Sequence, residues 1–177
     1  MSIPILHQRA PIRLRKESGF SLIELIAVIV IVGSLAASAL PRYIDLREGA
    51  HQAAVAGTAA AFKGAIFLAN AACSIRRFAG LDNLPNFGQG TVDFNSNCLP
   101  SSTNGNNSFN VNANRCLQVW NGVLLPAPSI SAPAADTTEY RAQGGGTTCT
   151  YTYREDDDTL RRFTYNAATG QLAVINP

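Results

Sequence analysis

The sequence predicts an α+β fold: a long N-terminal α-helix, half of membrane length and half amphipathic, packed on a C-terminal antiparallel β-sheet. Three observations carry this prediction. From Phe20 to Leu40 the chain is apolar except for Ser21, Glu24, Ser34 and Ser38. An Ala-rich segment then continues with helical spacing to about Arg77, and the last thirty residues alternate aromatic, Thr and charged side chains in the two-residue period of strands. A chain of 177 residues is long enough for one core-forming domain plus an anchor.

The first element is a basic leader, residues 1–19. It holds Arg9, Arg13, Arg15 and Lys16 against Glu17, a side-chain charge of +3, whereas the rest of the chain carries −1. The overall +2 therefore belongs to the leader, and net charge does not indicate a nucleic-acid partner. Arg76-Arg77 and Arg161-Arg162 read as solvated surface pairs.

The second element is the apolar helix, residues 20–41. At 1.5 Å per residue the run from Phe20 to Leu40 is about 31 Å long, the thickness of a bilayer's hydrocarbon. The basic leader orients the N-terminus to the cytoplasm and places everything beyond Pro41 outside. A secretory signal is the simple alternative. The run is long for one, no small-x-small site with a change to mature-like sequence ends it, and Glu24 is out of place. A carboxylate in hydrocarbon costs on the order of a few kcal/mol unless it is paired.

Gly19-Phe20-Ser21-Leu22-Ile23-Glu24-Leu25, after a basic leader and before a long apolar helix with a downstream Pro, resembles the class III signal of type IV pilins. That resemblance implies that a prepilin peptidase cuts between Gly19 and Phe20 and methylates the new N-terminal Phe20. It also implies that Glu24, then the fifth residue, pairs with the terminal amine of a neighbouring subunit as the apolar helices bundle. The implied precursor sits in the inner membrane among lipid and the pilus assembly machinery, and the product is a homopolymeric filament outside the cell. CLQVWN, CTYTY and YNAATGQLAVIN resemble the mannose-sensitive haemagglutinin group of these pilins.

Residues 42–177 read as the head, with a helix over 42–77. Phe62, Ile66, Ala69 and Cys73 recur every three or four residues and form an apolar face directed at the sheet. Gly33 and Pro41 bracket a weak section, because Gly costs about 1 kcal/mol against Ala and Pro removes an intrahelical hydrogen bond. The resemblance adds that this section loosens on assembly. Residues 78–115, rich in Asn, Ser and Gly, read as an extended surface connection tied down by cysteine, and Asn106-Asn107-Ser108 within them matches a glycosylation sequon. Residues 116–177 read as the β region. Trp120 is expected in its core, PAPSISAPAADTTEY as a loop, and TTCTYTYRE, TLRRFTYN and LAVI as three antiparallel strands.

Cys73, Cys98, Cys116 and Cys149 all follow the apolar run, lack a C-x-x-C spacing and read as two disulfides on the exported side. Three connectivities are open. Cys73 with Cys98 and Cys116 with Cys149 close loops of sensible length around plausible units.

Catalysis is not expected. The two histidines are His7 in the leader and His51, read as a solvent-facing helix residue, and no nucleophile motif surrounds either. No cofactor or metal is expected. Asp156-Asp157-Asp158 raises calcium as a weaker reading, since three consecutive acids in a hairpin cannot all face one ion. The main expectation is a structural pilus subunit. A minor pilin or a type II secretion pseudopilin is its rival within the same architecture, and a tethered, non-polymerising binding domain is its rival outside it.

Overall fold

A computed structural model describes residues 19–132, 137–156 and 161–176. Helix α1 spans Leu22–Arg76, β1 Asp93–Phe94, β2 Pro100–Ser102, α2 Ala113–Val123, β3 Ile130–Ser131, β4 Tyr140–Gly145, β5 Thr148–Tyr153, β6 Arg162–Asn166 and β7 Leu172–Ile175. The chain divides into two compact units with the boundary between Ile44 and Asp45, inside α1. The fold is α+β, a long N-terminal helix whose later part packs on a largely antiparallel sheet.

In the first unit every described residue is exposed, including Leu22, Ile23, Val30, Ile31 and Leu35. Its two mid-helix serines turn inward on the backbone. Ser34 Oγ donates to the Ile31 carbonyl and Ser38 Oγ to that of Leu35, both at 2.9 Å, so neither hydroxyl needs water. Pro41 lies inside α1, and helical residues continue on both sides of it.

In the second unit the buried residues of α1 are Val55, Ala59, Phe62, Ile66, Ala69 and Cys73, a spacing of alternating fours and threes that makes one stripe. The helix stops with Arg77 in the left-handed region at φ 53°. The Phe78 N–H donates to the Cys73 carbonyl at 2.9 Å and that of Arg77 to Ser74 at 3.2 Å, closing the last turn. Phe78 then packs beside Cys73, Leu84, Val92 and Phe94 in a small satellite core.

The five-stranded sheet has the order β3-β4-β5-β6-β7, with β3 parallel to β4 and the other pairs antiparallel. Alternation along β5 and β6 buries Cys149, Tyr151 and Tyr153, then Phe163 and Tyr165, on the helix side. Phe62 is the centre of this core: its ring lies 5.1 Å from Tyr151, 5.6 Å from Phe163, 5.7 Å from Tyr165 and 5.9 Å from Trp120. The polar ends of these aromatics are satisfied at the core's edges. Trp120 Nε1 donates to Pro128, the Tyr151 hydroxyl to the Cys116 carbonyl, and the Tyr165 hydroxyl to the Pro100 carbonyl.

Five sequence expectations need correction. Residues 113–123 are helix, not the start of the β region. Asn112 caps α2 by accepting from the Arg115 N–H at 3.0 Å, and Cys116, Val119, Trp120 and Val123 fall on one buried face. The sheet also holds more than three strands. β3 lies within the stretch read as a loop, on the sheet edge, and β4 precedes the expected hairpins.

Residues 78–115 are not an extended connection. β1 pairs with β2, and turns with positive φ at Asn83, Asn86 and Cys98 fold the segment back on α1 through the Cys73–Cys98 bridge. Arg115, buried at the start of α2, donates to the carbonyls of Ser101, Asn106, Ser108 and Asn110 and so fixes the Asn-rich loop. Burial lowers its pKa, and the nearby Asp93 carboxylate opposes that shift.

His51 is half-buried rather than solvent-facing, with Nδ1 3.1 Å from the Tyr153 hydroxyl. Nor is Arg161 a surface residue. It is 3% exposed and forms ion pairs with Glu48 on α1 and with Asp156. That pairing commits Asp156, while Asp157 and Asp158 lie outside the described residues. No group of three or more potential metal ligands occurs among the described residues.

Candidate processing and assembly site

Gly19, Phe20 and Ser21 precede α1 without helical structure, all three are exposed, and Phe20 is 81% exposed. Among the described residues nothing lies within 4 Å of the position a Cβ on Gly19 would take. Among the described residues nothing covers the peptide bond between Gly19 and Phe20, as a protease cleft requires of its substrate.

Immediately after it stands a reciprocal cap. The Ser21 N–H donates to Glu24 Oε2 at 2.9 Å, and the Glu24 N–H donates to Ser21 Oγ at 3.3 Å. This is a capping box, in which two orphan N–H groups of a helix start are satisfied by each other's side chains. The pattern Ser-x-x-Glu is legible in the sequence and supplies a local role for Glu24 beside the intersubunit one that the resemblance implies. A carboxylate here also faces the positive end of the helix dipole. Cleavage after Gly19 would leave this cap whole, because Ser21 keeps its amide N–H. Among the described residues only one carboxylate oxygen is used, so Oε1 can accept from another donor.

Pro41 sits inside α1 within an exposed apolar surface that includes Leu40 and Tyr43. The four cysteines all belong to the second unit: Cys73–Cys98 joins the end of α1 to the loop before β2, and Cys116–Cys149 joins α2 to β5, each with Cα atoms 5.5 Å apart. By length and composition α1 can cross a membrane.

Residues 14–40 match the family described as "Prokaryotic N-terminal methylation motif". The chain is also 52% identical over 54 residues to a protein of Thermus thermophilus described as "Type IV narrow pilus major component PilA5". That match covers 30% of this chain and 47% of the relative, so the chain spans about half the length of the curated relative it matches. No solved structure matches the chain. The chain thus combines a type IV pilin-like N-terminus and a methylation motif with an apolar helix and two disulfides.

Proposed function

We propose that this chain is a structural subunit of a type IV pilus. Its leader, residues 1–19, is removed by a prepilin peptidase, which methylates Phe20. Residues 20–41 hold the subunit in the inner membrane and then become filament core. Residues 42–177 form the head outside the cell. The observation that carries this reading is the exposed Gly19-Phe20 bond followed at once by Glu24 on an apolar helical segment whose residues are all exposed, within the matched methylation motif.

The physics of assembly follows from that geometry. A helix surface of this size buries itself in lipid or in copies of itself, and the first does not satisfy Glu24. The amine created at Phe20 is a cation at the start of a neighbouring helix. Pairing it with Glu24 in a desolvated bundle fixes the axial register, because an unpaired buried carboxylate is strongly destabilising. The partners implied are other copies of the subunit, the peptidase and the inner-membrane assembly machinery. The four-cysteine head and the YNAATGQLAVIN terminus support placing the chain with the mannose-sensitive haemagglutinin group.

Glu24→Ala tests the reading. The variant is expected to be cleaved after Gly19 but to yield few or no filaments in sheared surface fractions. Wild-type filament yield would sink the proposed role of Glu24.

A further inference from the structure

The sheet protects one of its edges and leaves the other open. At the first edge β3 pairs with one end of β4. At the other end of β4 the Val111 N–H donates to the Gly146 carbonyl at 2.7 Å, and Gly144 passes close against Asn112, the cap of α2. At the opposite edge no strand among the described residues pairs with the outer side of β7. The Asn166 N–H donates to the Gln171 carbonyl at 2.9 Å, so in the β6–β7 register Thr164–Ala173 and Arg162–Ile175 are the hydrogen-bonded pairs. The N–H and C=O groups of Leu172 and Val174 therefore point away from β6, along the free edge.

Sheets of soluble proteins guard such an edge with a charge, a Pro, a bulge or a covering segment, because its unmade hydrogen bonds accept any strand. Among the described residues β7 has none of these. It reads Leu-Ala-Val-Ile in unbroken register with β6, no charged residue occurs from Phe163 to Asn176, and Val174 is 43% exposed. Two cations flank the strand without lying on it. Arg162 is one strand in, opposite Ile175, and Lys63 of α1 borders the groove beside Leu172 and Ala173.

We propose that β7 is a self-association edge, pairing antiparallel with β7 of a second copy about a two-fold axis at Ala173. The bonding pattern dictates the register. Leu172 exchanges both backbone bonds with the partner's Val174, and Val174 with the partner's Leu172, which sets Ala173 against the partner's Ala173. The same register places Leu172 beside the partner's Val174 on the helix side of the sheet, an apolar cross-strand pair, and leaves only Ala at the axis on the outer side. A second copy fits this edge because a neutral strand meets itself with no like charges opposed, while it offers a charged peptide nothing to select it. A contact of four residues a side lies below the about 1,200 Å² of a stable interface, so it forms transiently, and it tightens with salt as the flanking cations are screened. An isologous contact closes at two copies and cannot extend a polymer whose subunits all point one way, so it joins copies that belong to different polymers. The inference rests on the sheet and is independent of the pilus reading.

Disulfide trapping in the full chain in non-ionic detergent tests it. The native cysteines are paired as Cys73–Cys98 and Cys116–Cys149, so one added Cys is the single free thiol. The register brings the Cα of residue 173 to about 4.5 Å from its copy, within the reach of a disulfide, and leaves that of residue 171 about 14 Å from its own. Under air with a copper catalyst, Ala173→Cys is expected to form a covalent dimer at least about tenfold faster than Gln171→Cys, although both positions are exposed. Adding Val174→Lys, which sets a cation on the edge opposite the partner's Leu172, is expected to return Ala173→Cys to the slow rate. Near-UV circular dichroism checks each fold. If Ala173→Cys fails to fold, sedimentation equilibrium compares the wild-type chain with Val174→Lys: association in the wild type alone supports the edge, and any other result overturns it. Equal rates at 173 and 171, a rate unmoved by Val174→Lys, or cross-linking only to a chain of different mass overturns the proposal.

Discussion

Replacing Phe62 by Ala removes the side chain on which the head's core is centred. Phe62 is fully buried and its ring lies within 6 Å of Trp120, Tyr151, Phe163 and Tyr165. Truncating a buried Phe costs about 3–5 kcal/mol, and four aromatic contacts put this site at the upper end. A domain's whole stability is about 5–15 kcal/mol, so the variant is expected to be marginal. The assay is urea unfolding of the full chain in non-ionic detergent with disulfides intact. Trp120, the single Trp of the sequence, is buried against Phe62 and reports the transition by its fluorescence. With a urea slope of about 2 kcal/mol per molar, the midpoint should fall by roughly 2 M. The control is Phe67→Ala on the same helix, where the side chain is 72% exposed and the expected change is within about 0.5 kcal/mol. A loss below about 1 kcal/mol at Phe62, or an equal loss at Phe67, would refute the packing of α1 on the sheet.

Removing either disulfide should destabilise the head by about 3–4 kcal/mol, since the sequence separations are 25 and 33 residues. Urea midpoints of Cys73→Ser/Cys98→Ser and Cys116→Ser/Cys149→Ser test this, and a pair of wild-type midpoints would contradict it. Alkaline pH should also unfold the head. Burial pushes the Tyr140 hydroxyl up to about 12 and those of Tyr151 and Tyr165 upward as well. The folded state then holds protons that the unfolded chain releases near pH 10. This stability is complete below pH about 10 and is lost as pH rises through the folded values. A urea midpoint that stays level from pH 8 to 11 would contradict the assignment.

The parts of the fold legible in the sequence were those where periodicity and burial agree. Phe62, Ile66, Ala69 and Cys73 keep helical spacing on one apolar stripe, and Cys149, Tyr151 and Tyr153 alternate with Thr. Helix α2 was hidden because Val119 and Trp120 carry strand-like composition, while the deciding signal is a single Asn cap at Asn112. β4 was hidden by its glycines. Gly144 passes so close to α2 that a Cβ there would sit 2.5 Å from the Asn112 carbonyl carbon, so packing requires a residue that local propensity reads as a turn. At the candidate site the Ser21–Glu24 cap is written in the sequence as Ser-x-x-Glu, but a carboxylate inside an apolar run has a membrane cost that masks its local bond to the neighbour three residues back. His51 and Arg161 could not be placed from sequence, since Tyr153, Glu48 and Asp156 reach them only through the fold.

Intact-mass and fragment analysis of subunits from sheared surface filaments tests the central claim most directly. The account predicts a chain beginning at Phe20, carrying one methyl group on its amine and lacking the four thiol hydrogens of Cys73, Cys98, Cys116 and Cys149. A chain that retains the leader, or one cleaved at another bond such as after Ala39, would contradict it.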